Sequence, residues 1–262
     1  MISFRNVFRT GTLLAVFASF SATATEIAVL LGRPDESLDF VKLIHKESVS
    51  VDASLTDVEV DYTTQAYSIF HRLGVESVSS VEVLSATGSA SSQNFVRGIQ
   101  AAAVRAPVAF APFGPNFGPR MLAFCEALGR NPDTVFVLPA GNDGRSIDAE
   151  AAQSPECFPA NVLRVASLNE TGDGLAYFSS FGEKIDLAAG GSKIPVVGEG
   201  GKPVDRSGSS ISGSIVGARL AVFARLNPSL KGASLARAFL ASETQELPAL
   251  RGKIGGARAL KP

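Results

Sequence analysis

The alternation of short β-branched runs with longer helix-period segments is the feature that most narrows what this chain can fold into. Ile27–Leu31, Val81–Leu84, Val108–Phe110, Val135–Leu138, Val162–Ala166 and Ile185–Ala188 read as strands. Gly, Pro and Asn bound them, and most lack the polar alternation of a strand wetted on one face. Between them, Leu38–Lys46, Thr64–Leu73, Asn94–Val104, Met121–Leu128, Ile211–Leu226 and Ser234–Leu240 read as helices. Strand–helix alternation of this kind predicts an α/β fold of three layers, a mostly parallel central sheet with helices on both faces.

The N-terminus reads as an address. Arg5 and Arg9 precede the apolar run Gly11–Phe20, and Ala22-Thr23-Ala24 supplies the small residues of a cleavage site. The run is short of the roughly 20 residues that a membrane span needs. The expectation is a signal peptide over 1–24 and one domain over 25–262, exported to a periplasm or the exterior, with no stable membrane span after cleavage. A formal net charge of −1 gives no broad attraction to nucleic acid. Two cysteines, Cys125 and Cys157, would meet an oxidising compartment; they either pair or remain two buried residues that never meet.

Three segments carry candidate chemistry. Leu138-Pro139-Ala140-Gly141-Asn142-Asp143-Gly144 ends a strand in a Gly- and Asn-containing turn. Cys157-Phe158-Pro159-Ala160 leads through VLRVASLN to Phe178-Ser179-Ser180-Phe181-Gly182. Ser207-Gly208-Ser209-Ser210-Ile211-Ser212-Gly213-Ser214 opens a long helix whose Gly213, Ser214, Gly217 and Ala218 are small enough for close approach. Taken singly, these read as a turn, a framework strand and a serine-rich helix cap.

In this order and spacing they resemble the subtilases, the subtilisin-like serine peptidases. The resemblance runs from about Val81 to Leu260, including VEVLSATG, the helix FVRGIQAAA, and the tail from Asn227-Pro228 to Gly255–Leu260, which looks like the family's last helices. It implies that Ser210 stands at the nucleophile and Asn142 at the amide that donates to the oxyanion. Ala111, Pro112, Phe113, Gly114, Ala140 and Gly141 fall on the substrate-binding segments, so the implied partner is a peptide or protein. No cofactor or metal is implied by the residues, and Ser209, Asp143 and Arg145 carry no assigned role.

The sequence departs from the family where the proton is handled. Leu31 stands where the strand should end in the catalytic aspartate, with Asp35 a few residues on. Asp61-Tyr62-Thr63-Thr64 occupies the stretch of the catalytic histidine, so Tyr62 stands in for it. The only histidines are His45, read as closing a helix, and His71, read as a helix-face residue. Pro112 removes a backbone donor from the substrate edge, and Phe113 brings bulk toward the primary pocket. The expected function is an exported subtilase-like protein whose catalysis is lost and whose role is binding, regulatory or structural. The alternative is an active serine endopeptidase or other hydrolase using Ser210 with a non-standard base such as Asp61, or with a true histidine that this alignment misplaces.

Overall fold

The structure, a computed structural model, describes residues 26–40, 42–49, 57–84, 91–113 and 122–262. The expected signal segment, and Gly114 of the expected substrate edge, lie outside the described residues. Eleven strands and six α-helices are present among the described residues.

Nine strands form one sheet, in the order β10-β11-β7-β6-β5-β4-β1-β3-β2. They are β1 (Ile27–Leu31), β2 (Lys42–Ser48), β3 (Ser77–Glu82), β4 (Val108–Phe110), β5 (Val135–Pro139), β6 (Val162–Leu168), β7 (Leu187–Gly190), β10 (Thr244–Glu246) and β11 (Arg258–Leu260). Every neighbouring pair is parallel except β10 with β11. Strands β8 (Ile194–Val197) and β9 (Pro203–Arg206) form a separate antiparallel hairpin. The helices are α1 (Asp57–Arg72), α2 (Ser92–Ala103), α3 (Leu122–Gly129), α4 (Asp148–Gln153), α5 (Ser209–Leu226) and α6 (Gly232–Glu243).

The apolar strand runs are buried because helices cover both faces. Ile27 and Leu30 of β1 point to opposite sides, as side chains three apart on a strand must. A methyl group added at Gly217 of α5 would lie 3.2 Å from Ile27 Cδ1; one added at Gly98 of α2 would lie 3.4 Å from Leu30 Cδ2 and would collide with Val83 Cγ1. The small residues of α5 therefore seat that helix directly on the sheet. Gly213 does the same against the ring of Phe110, where an added methyl would come to 2.9 Å. The predicted α/β architecture is what the chain adopts.

Several local expectations are corrected. Leu38–Lys46 is not a helix: Lys42–Ser48 is the edge strand β2, paired in parallel with β3, so His45 closes no helix. The strand expected at Val81–Leu84 is β3, four residues earlier at its start, and that expected at Ile185–Ala188 is β7. The segment Gly255–Leu260 is no helix either, but a short 3-10 turn running into β11. Its pairing with β10 and β7 satisfies backbone groups that a helix in so short a tail would leave exposed.

Cys125 of α3 and Cys157 are joined by a disulfide, their Cα atoms 4.4 Å apart. No helix among the described residues is long and apolar enough to cross a membrane.

Candidate active site

The parallel strands β1, β4 and β5 all end on the same edge of the sheet, the usual place for a site in an open α/β sheet. Leu31, Ala111 and Ala140 follow or close those ends, and the N-terminus of α5 faces them. Ser210 lies in the first turn of α5 and keeps only 7% of its surface exposed.

The loop after β5 is stitched to that first turn. Gly141 N–H donates to Ser209 Oγ at 3.1 Å, and Ser209 N–H donates to Asn142 Oδ1 at 2.8 Å. This second bond fixes which end of the Asn142 amide is the acceptor and leaves Nδ2 as the outward donor. A methyl group built on Gly208 would sit 3.4 Å from Ser210 Oγ and 3.6 Å from Asn142 Nδ2. Both groups therefore border one small space that glycine leaves open. Ser210 and Asn142 share a cleft.

The Phe178–Gly182 segment buttresses the same loop. Ser180 N–H donates to Gly141 O at 3.0 Å, and Ser180 Oγ accepts from Asp143 N–H at 3.4 Å. Deeper down, Ser212 Oγ bonds Ser167 Oγ at 2.9 Å and donates to Ala189 O at 3.2 Å, tying α5 to β6 and β7. Of the residues left without a role, Ser209 is this stitch. Arg145 pairs with Glu150 and, at 3.8 Å, with Asp143 on the surface.

Tyr62, on α1, stands half-buried beside Ser210. Burial pushes its pKa up, and the nearness of the Ser210 hydroxyl opposes this in part. Leu31 is buried at the end of β1. Asp35 is occupied elsewhere: it accepts from the Ser37 hydroxyl at 2.6 Å, from Gly200 N–H at 2.9 Å and from Ser37 N–H at 3.0 Å, which hold its carboxyl below the usual range. Asp61 accepts from Gln65 Nε2 at 2.6 Å and Arg206 Nη2 at 3.3 Å. His45, on the outermost strand, bonds Glu47 at 3.3 Å, and the exposed His71 ring packs 5.8 Å from that of Phe40. Among the described residues, neither imidazole is bonded to Ser210.

The substrate-edge residues are placed as follows. Ala111 N–H is taken by Val137 O at 3.1 Å, and Pro112 has none to offer. The Phe113 ring lies 4.6 Å from Phe95 of α2, which lies 5.5 Å from Phe124 of α3, so its bulk is absorbed by an aromatic row. Ala140 N–H bonds Val165 O at 2.8 Å. Among the described residues, no cluster of three or more His, Cys, Asp or Glu side chains is placed to hold a metal.

Sequence reasoning missed the clamp on α1. The β8–β9 hairpin leads directly into Ser210 and is fastened along α1 by Arg206 to Asp61, by Val197 N–H to Ser68 Oγ at 3.1 Å, and by Arg72 Nη1 to Pro195 O at 2.7 Å. Ile69, Val196 and Ile211 form a small apolar cluster beneath it. The run Ile194–Val197, followed by Gly198 to Lys202, held a hairpin signal in its β-branched residues and glycines.

No protein-family model matches the chain, and no curated protein does. Solved structures do. The protease domain of PatA matches with a TM-score of 0.71 at 20% identity, over 90% of this chain and 91% of that one. The A-subunit of the AB5 toxin from E. coli matches with a TM-score of 0.69 at 23% identity, over 89% of each chain. A cold-adapted subtilisin-like serine proteinase matches with a TM-score of 0.68 at 21% identity, over 89% of this chain and 87% of that one. The fold is subtilisin-like. Within it, the loop after β5 and the start of α5 are brought together, and a tyrosine meets the helix-start serine.

Proposed function

We propose that this is an exported, subtilisin-fold protein that does not hydrolyse peptides and acts by binding a peptide or protein. The observation that carries the reading is what surrounds Ser210: Tyr62 stands beside it, buried Leu31 closes β1, and His45 and His71 are engaged with Glu47 and Phe40 instead. A serine becomes a nucleophile when a neighbour of suitable basicity takes its proton, and that neighbour works best with a pKa near the operating pH. A phenol ordinarily ionises near pH 10, and burial moves Tyr62 further from neutrality. It therefore stays protonated and does not take the serine's proton. Leu31 offers no carboxylate to orient or charge a base.

Export is supported by the leader-like residues 1–24 together with the Cys125–Cys157 bond, which suits an oxidising compartment. A second reading, a hydrolase with an unusual base, draws on the cleft that Ser210 shares with Asn142. Asp61 is the carboxylate it would call on, but Gln65 and Arg206 already engage it. The deciding measurement is labelling of the purified, folded protein by a fluorophosphonate probe. Labelling no greater than that of Ser210→Ala is expected. Strong labelling that Ser210→Ala abolishes would reject the non-hydrolytic reading.

A further inference from the structure

Charge is distributed unevenly along this chain, and the fold gathers the exception on one edge of the sheet. Residues 25–227 hold 16 Lys and Arg against 23 Asp and Glu, a net of −7. Residues 228–262 hold six against two, a net of +4. That last stretch supplies β11 and the outermost strand, β10. The turn between the two strands runs alongside the segment before β7. Gly182 N–H donates to Lys253 O at 2.7 Å, and Gly255 N–H donates to Ile185 O at 2.9 Å. These bonds bring Lys184 to the same edge.

Five exposed cations share it: Lys184, Arg251, Lys253, Arg258 and Lys261. Among the described residues, only Arg251 of the five forms an ion pair, with Glu246 at 2.6 Å. Arg258 Nη1 donates to the Thr244 hydroxyl at 3.4 Å and Lys261 Nζ to Ser242 O, both neutral acceptors. Solubility does not account for these charges. A net charge of either sign keeps a protein dispersed, and cations on a negative chain reduce that charge. Protection of the sheet edge does not account for them either, since lysine that blunts an edge sits on the edge strand and β10 (Thr244–Glu246) has none.

Unpaired cations call for an anionic partner, and the rest of the molecule narrows its kind. A long polyanion such as a nucleic acid would run past the edge onto a body of net −7 and be repelled there. A membrane surface holds a protein best when apolar side chains enter it. Among the described residues, the large exposed apolar side chains are Val104, Leu122, Tyr177 and Leu226, and none lies on this edge. A short run of carboxylates touches the edge and no more. We propose that the β10–β11 edge is a docking surface for an acidic segment of a partner protein, with Lys184, Lys253, Arg258 and Lys261 as its contacts. β11 lies three strand spacings, about 14 Å, from β5. The proposal therefore holds whether or not Ser210 is activated.

The test uses the folded mature protein and a dye-labelled decaglutamate peptide, read by fluorescence anisotropy at low and at physiological salt. A carbodiimide then couples lysine amines to the peptide's carboxylates, and mass spectrometry maps the links on the unaltered protein. Binding should be present at low salt and weaken as salt screens it. Cross-links should concentrate on Lys184, Lys253 and Lys261 and spare Lys46, Lys193 and Lys202. Reversing three charges together, Lys184→Glu, Lys253→Glu and Lys261→Glu, should weaken binding by about tenfold or more, and Lys202→Glu by roughly twofold at most. No binding at low salt, cross-links spread evenly over the lysines, or a folded triple variant that binds as the native protein does would each overturn the proposal. Duplex DNA or phosphatidylglycerol vesicles bound more tightly than the peptide would overturn the protein source.

Discussion

Cutting the Cys125–Cys157 bond removes a cross-link between α3 and the turn that leads into β6, without altering a contact in the cleft. The two residues are 32 apart in sequence, and both are buried. A closed loop of that length removes unfolded-chain entropy equivalent to about 4 kcal/mol at 25 °C. For a domain of this size each kcal/mol moves the melting temperature by roughly 2–4 °C, so the loss should be about 7–15 °C. The assay compares oxidised protein with protein unfolded in reductant and refolded under it, by circular dichroism in a reversible melt. Reduction leaves both sulfur atoms in place, so the difference reports the link and not a cavity. A fall below about 3 °C would refute the reasoning, because the ends of the loop would then be held together in the unfolded chain by something else. A fall of the expected size would make an oxidising compartment a condition of full stability.

Two further outcomes follow from the side chains around the cleft and sheet. Tyr62→Phe removes a half-buried hydroxyl beside Ser210 and should cost no more than about 1 kcal/mol in denaturant unfolding, with fluorophosphonate labelling unchanged; labelling present in the native protein and lost in this variant would make the phenol a base. Burial lifts the Asp186 carboxyl to about 6, against the hydrogen bond from Arg164 N–H and the charge of its guanidinium. Its folded pKa lies above the unfolded value, so its favourable share of stability is complete below about pH 4 and is lost as pH rises through 6, a change on the order of 3 kcal/mol. Unfolding free energies between pH 4 and 7 should show this decline, and Asp186→Asn should flatten it; an unchanged slope in the variant would assign the decline to another group.

Much of the architecture was legible because burial on both faces leaves a plain mark. β1 and β4 occupy the residues that their apolar runs predicted, and α5 begins within two residues of its expected start. What misled was context that no local pattern carries. Lys42–Ser48 has enough polar residues to pass for a helix face, yet it is an edge strand, where lysine and glutamate are well placed. β3 was missed at its start because Ser77, Ser79 and Ser80 are poor strand signals. Residue-by-residue pairing of β3 with β1 buries them all the same. In the cleft, the glycine and serine patterns pointed to Ser210 and Asn142, which do border one space. The placing of Tyr62 beside Ser210 rested in the sequence on the short stretch Asp61–Thr64, and the clamp of Arg206 on Asp61 left no trace, since residues 145 apart meet only in the folded chain.

The hairpin clamp gives the cleft an uneven mechanics. Tyr62 and Ser210 ride on α1 and α5, which the β8–β9 ribbon ties together, whereas Asn142 sits on the loop after β5, held by Ser209 on one side and by Phe178 and Ser180 on the other. The two borders of the space around Ser210 are therefore fastened through different parts of the chain, one by the ribbon and one by the Phe178–Gly182 segment.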